Sequence, residues 1–203
     1  MTDLPVPAKL KIKQIDEQLK IELKQFYEDL NSHAININWG DGKFIMTISG
    51  TQIFQSVEFS EDWLIHSKKQ EIERQLLEGI NYALSASLES GNNKLADFYN
   101  RMINSSPEIK RLVQSGTAAE TTSSLLNVNE AVKAESIQEK SIHEDIVATF
   151  AGGRRLVSIS ISQELLNTKE SKVIGGQLVD VLNKAIANSR NRLMNKFGPA
   201  SSL

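Results

Sequence analysis

A chain of 203 residues, 40% hydrophobic and 24% charged, has the composition of ordinary globular protein and room for one or two domains. Its net charge of −2 lacks the basic excess usual in duplex-binding domains, so any nucleic-acid binding must come from local patches; residues 1–104 hold 11 Lys and Arg against 15 Asp and Glu (−4), and the remainder 12 against 10 (+2). No apolar stretch reaches the roughly 20 residues that span a bilayer, the amino-terminal MTDLPVPAKLKIK lacks the apolar core of a secretory signal, and the absence of cysteine removes disulfides and thiolate metal sites, so a cytoplasmic, non-membrane protein is expected.

Between Lys9 and Asn31, the residues Ile12, Ile15, Leu19, Leu23, Phe26 and Leu30 recur every third or fourth position, which predicts a long helix with one apolar stripe resembling a coiled-coil seam. Lys9, Lys11, Lys13, Lys20 and Lys24 lie mainly off that stripe among Asp16, Glu17 and Glu22, as on a solvated face. After Asn31 the period becomes two. Phe44, Met46 and Ile48 alternate with Ile45, Thr47 and Ser49, a turn at Gly50-Thr51 follows, and Val57 and Phe59 alternate with Ser56, Glu58 and Ser60, which predicts a hairpin with one buried face. Ala34 to Trp39 is expected to extend the first strand, with Gly40-Asp41-Gly42 as a kink or bulge.

Ile72, Leu76, Leu77, Ile80, Leu84 and Leu88 predict a second helix from near Lys68 to about Ser90, with a possible continuation through Leu95, Phe98 and Met102. Ser106-Pro107-Glu108 has the form of a helix start for a short helix to Val113. The small, polar segment Ser115 to Ser124 is taken as a linker between a first unit, 1–114, and a second, 125–203. The second unit is expected to open with a weaker helix around Leu125 to Ile137. Its hairpin is DIVATFAGGRRLVSISIS, with a primed turn at Gly152-Gly153, its closing helix runs from about Ser171 to Lys196, and a disordered tail follows from Gly198.

The two units superpose without a gap. Gly152 lies 102 positions after Gly50, and the same offset pairs Thr47 with Thr149, Ser56 with Ser158, Ile72 with Ile174, Leu76 with Leu178, Asn81 with Asn183 and Ala83 with Ala185. A duplicated unit of about a hundred residues is expected to work by pairing. An α+β protein of two such units, forming a pseudo-dimer, is the fold that follows.

Catalytic constellations are scarce. His33, His66 and His143 are far apart in sequence, with no compact metal signature and no local nucleophile and base, so neither an enzyme nor a cofactor is expected. Glu61 and Asp62 are read as acceptors opening a helix, and Gly152-Gly153-Arg154-Arg155 as a hairpin turn, since a phosphate-cradling loop leads into a helix and this one leads into a strand. Two basic clusters remain. Lys184, Arg190, Arg192 and Lys196 lie in a segment without acidic residues, and Lys9, Lys11 and Lys13 crowd the start of the first helix. Each cluster is open to two readings, phosphate binding or solvation, and cations near a helix carboxyl end also offset its macrodipole.

The long first helix, the hairpin GKFIMTISGTQIFQSVEFSEDWL and the closing helix with LLEGINYAL together resemble the YbaB/EbfC family of bacterial nucleoid-associated proteins, and DIVATFAGGRRLVSISISQELL with GGQLVDVLNKAIANSRNRL is similar to the same unit. The resemblance implies a small α+β unit that dimerises through its sheet, with helices projecting as arms that bind double-stranded DNA at the nucleoid without catalysis. Family members are usually single units, whereas here two are fused, so one chain can supply both halves of the dimer, or two chains can exchange them. The expected function is DNA binding through phosphates with little sequence specificity, using Lys9, Lys11, Lys13, Lys184, Arg190, Arg192 and Lys196. The rival is a non-catalytic protein-interaction or scaffold module without DNA binding, which the charge balance favours.

Overall fold

The computed structural model describes residues 6–105, 136–151, 155–168 and 170–197. In the first unit, α1 (Val6–Ser32) leads into β1 (Ala34–Trp39), β2 (Phe44–Ser49) and β3 (Phe54–Phe59), followed by the short α2 (Glu61–His66) and the long α3 (Lys69–Ser105). The second unit is described from β4 (Ser136–Lys140) through β5 (Ile146–Ala151), β6 (Arg155–Ile161) and α4 (Gln163–Thr168) to α5 (Ser171–Phe197). The 102-residue offset holds in space: β4, β5, α4 and α5 start 102 positions after β1, β2, α2 and α3. The protein is therefore α+β, with two antiparallel three-stranded sheets ordered β1-β2-β3 and β4-β5-β6. The expected linker 115–124, the short helix to Val113, the Gly152-Gly153 turn and the tail lie outside the described residues.

Alternation fixes the buried faces. Phe44, Met46 and Ile48 are fully buried while Ile45 faces solvent, and in the second unit Ile146, Ala148 and Phe150 take the equivalent places. Even the irregularities repeat, since the register of the central strand shifts between Thr47 and Ile48 and again between Thr149 and Phe150. Ser60 and Ser162 each cap the short helix that follows, accepting from the N–H of Trp63 and of Leu165.

Two expectations are corrected. Ala34 to Trp39 does not extend β2 across a kink; it is a separate strand paired back on β2 from Ala34↔Ser49 to Trp39↔Phe44. Gly40, Asp41 and Gly42 all adopt left-handed φ, at 60°, 57° and 88°, and three such residues in succession reverse the chain, a conformation that glycine adopts without strain. Ile137, assigned to a helix, lies in β4 opposite Phe150 and is buried. The irregular spacing of Leu126, Val128, Ala131 and Val132 carried no information about where a helix would end.

The units share one hydrophobic core that runs without a break from Ile37 to Ile186. The sheets do not join strand to strand. Instead α5 lies along β3 of the first unit while packing on β4 and β5 of its own, and α3 lies along β6 of the second while packing on β1 and β2. Asn81 on α3 reaches the edge of β6, where its Nδ2 donates to the Leu156 carbonyl at 2.8 Å and its Oδ1 accepts from the Leu156 N–H at 2.9 Å. Asn183, its repeat equivalent on α5, does the same to Phe54 on β3, both bonds at 2.8 Å. Val57, Phe59, Ile159 and Ile161 are all buried.

The edges are otherwise closed differently. Ser171 Oγ accepts from the Phe59 N–H at 3.0 Å and donates to its carbonyl at 3.1 Å, and α5 passes so close to β3 that a Cβ on Gly175 would overlap the Val57 carbonyl oxygen. Across the pseudo-twofold axis the position of Gly175 is held by Glu73, whose carboxylate accepts from the Ile161 N–H at 2.9 Å and the Ser160 hydroxyl at 3.1 Å.

Asn81→Ala and Asn183→Ala each leave one edge N–H and one C=O unpaired inside the interface, and each is expected to lower the unfolding free energy by about 2 kcal/mol in urea titrations. Gly175→Ala is expected to destabilise by about 1–3 kcal/mol through overpacking, whereas Gly176→Ala, with open space around it, is expected to stabilise by up to about 1 kcal/mol. Opposite signs at adjacent residues are the observable, and equal effects would contradict the close approach of α5 to β3.

Candidate nucleic-acid interface

Two helical regions carry the basic clusters. The first is an antiparallel pair: α1 runs back along the distal half of α3, with the Phe26 and Phe98 rings stacked 4.8 Å apart and Leu30 beside Gly91. Phe26, Leu30 and Phe98 form a small core of their own, with Leu23, Leu95 and Met102 packed around it. Tyr27 lies against this cluster, where burial, and secondarily the charge of Tyr99, raises its hydroxyl pKa above the usual tyrosine range. The second is the distal half of α5, which stays packed on the shared core through the buried Ala185, Ile186 and Ser189. No acidic residue follows Asp180 in the chain, so this half is basic in its own sequence.

The structure divides the α5 cations. On a helix of 3.6 residues per turn, Lys184, Arg192 and Lys196 fall within an arc of about 120°, while Arg190 points away from Arg192 by about 160°. Lys184 is exposed but forms an ion pair with Glu139 Oε2 at 3.3 Å, and Asn188 also donates to that carboxylate. Arg190, exposed, donates through Nη2 to the Thr51 carbonyl in the β2–β3 turn of the first unit. Arg192 is exposed. Lys196 stands on α5, and Lys9, Lys11 and Lys13 stand on α1; the side chains of these four lie outside the described part of the structure. The two clusters belong to different helices of opposite units, α1 in the first and α5 in the second.

Elsewhere several of the basic residues are matched. Lys24 pairs with Glu28, Lys43 with Glu71, Lys69 with Glu73 and Lys140 with Glu144. Arg74 binds Glu71 and Glu78 at 2.8 and 2.9 Å. The hydrogen bond from Arg74 is the main reason the Glu71 carboxyl sits below the ordinary glutamate range, and the same bond raises the guanidinium pKa. These pairs turn the exposed side of α3 into a near-neutral surface, which sequence counting by halves could not resolve.

His33 follows α1 and His66 ends α2, where its Nδ1 lies 2.8 Å from the Asp62 carbonyl oxygen. Glu61 and Asp62 occupy the first turn of α2. Among the described residues no group of three His, Asp or Glu side chains is placed to hold a metal ion, and no helix is long and apolar enough to cross a membrane. No protein-family model, curated protein or solved structure matches the chain.

Because the first region has its own core, it is expected to loosen independently of the body. Phe26→Ala removes a stacked ring and should speed amide hydrogen exchange along α1 and the distal half of α3, with a local cost of about 3 kcal/mol. Exchange at Met46, Ile80 and Ala148 in the shared core should stay unchanged; if it accelerated equally, this region would be part of the main cooperative unit.

Proposed function

We propose that this protein is a non-enzymatic, nucleoid-associated DNA-binding protein that contacts duplex phosphates with little sequence specificity. The observation that carries the reading is the distal half of α5, a helical stretch with four cations and no carboxylate of its own, on which Arg192 is exposed. The resemblance of each unit to the YbaB/EbfC pattern supports it. Arg192 and Lys196, one turn apart, would make the principal contacts. Lys184 and Arg190 would exchange Glu139 and the Thr51 carbonyl for phosphate, and Lys9, Lys11 and Lys13 would add contacts from α1. Phosphate contacts position a protein without reading bases, so binding would tolerate sequence.

The rival, a protein-interaction or scaffold module, draws on those same two contacts, since Lys184 and Arg190 already serve the fold. Duplex titration at several salt concentrations separates the two. A site of about four phosphate contacts should give a log K against log salt slope near −3.6. The double variant Arg192→Ala, Lys196→Ala should weaken binding to all sequences alike and flatten the slope by up to about two units. Absence of duplex binding at about 50 mM salt, where a phosphate site is strongest, would turn the assignment to the scaffold reading.

A further inference from the structure

One corner of the fold is filled by aromatic side chains in the first unit and not in the second. In the first, Trp39 ends β1, rests over Gly79 of α3, lies 5.6 Å from the Tyr82 ring, and donates its indole N–H to Gln75 Oε1 at 3.0 Å. One repeat later the glutamine is retained as Gln177, but Trp39 is replaced by Ser141, Tyr82 by Lys184 and Gly79 by Val181. Gln177 Oε1 is buried and has no hydrogen-bond partner among the described residues. A cavity of about 680 Å³ opens at this corner, lined by Ser141, Ile142, Gln177, Asp180 and Lys184 among others. That volume lies within the range of small-molecule sites. Ile142, 94% exposed, forms an apolar rim.

We propose that this cavity binds a planar aromatic ring bearing an N–H, of the indole type, which supplies to Gln177 the donor that Trp39 supplies to Gln75. A buried acceptor without a donor is costly, and the first unit shows which donor this corner accommodates. Val181 fills the floor that Gly79 leaves open beneath Trp39, so the bound ring lies further from the helix than Trp39 does, between Ile142 and the aliphatic stem of Lys184. Gln177 lines the cavity, and its amide would turn to present the oxygen to the ring. The ring belongs either to a free heterocycle or to a tryptophan side chain of another protein; the chemistry recognised is the same.

Calorimetric titration of the full chain tests the site. Indole is expected to bind saturably by about 1 mM, and N-methylindole, which has the ring without the donor, at least about threefold more weakly. Gln177→Leu should abolish the difference between the two ligands, and Ser141→Trp, which places a ring in the cavity from within, should weaken both by more than about tenfold. If Gln177→Leu fails to fold, the comparison of indole with N-methylindole on the unaltered protein reads the same bond. N-acetyltryptophanamide binding as tightly as indole assigns the ring to a partner's tryptophan, and its exclusion assigns it to a free heterocycle. No saturable indole binding, equal binding of indole and N-methylindole, or unchanged affinity in Ser141→Trp would each overturn the proposal. None of these variants alters an α5 cation, so the outcome is independent of duplex binding.

Discussion

The outer strand of a three-stranded sheet exposes a row of N–H and C=O groups that must find partners or invite the wrong ones, and here one outer strand of each sheet, β3 or β6, is met by a helix from the other unit. Asn81 and Asn183 are the clearest expression of this. A primary amide sets an N–H donor beside a carbonyl acceptor, so a single side chain can do for Leu156 or Phe54 what a neighbouring strand would do. Once the edges are covered in this way the two apolar faces necessarily meet. The single core from Ile37 to Ile186, the close passage of α5 over Val57 and the separation of the two sheets all follow.

Fusion of the units into one chain removes the demand that both halves of the interface be identical. In a homodimer a close-approach glycine would appear twice; here Gly175 allows helix–strand contact on one side while Glu73 bridges the gap with a carboxylate on the other. The buried Ile37 likewise has Glu139 as its equivalent, held by Lys184 and Asn188, which occupy the places of Tyr82 and Ala86. These replacements are mutually consistent, because a carboxylate in a partly buried position requires a cation and a donor nearby. The same freedom underlies the charge asymmetry, with a basic run on α5 that holds no acidic residue of its own and matched pairs over the exposed side of α3.

That asymmetry bears on what a DNA-binding surface here would be. Two helical regions of unlike composition, one built from α1 against α3 and one from α5, do not form a symmetric clamp. A duplex would be held mainly from the α5 side, with α1 contributing through its first turns. The local field, more than the net charge of −2, would decide association, since at physiological salt a duplex responds to charges within about 8 Å.

The repeat, the strand alternation and the helical stripes were legible because each is a periodicity along the chain, and burial imposes periodicity directly. Phe44, Met46 and Ile48, or Ile72, Leu76 and Ile80, announce their faces without any knowledge of what covers them. The basic clusters could be found in the sequence as well, but not the fates of their members. Whether Lys184 faces Glu139, or Arg190 the turn at Thr51, depends on elements 45 and 139 residues away. The reversal at Gly40-Asp41-Gly42 was missed because glycine permits a kink and a turn alike, and only the pairing of β1 with β2 selects between them. Sequence by itself determined that there are two units and which faces they bury. Tertiary structure alone decided how those faces meet, since Asn81 and Asn183, spaced like any other pair in the repeat, acquire their meaning only when each helix lies on the other unit's edge strand.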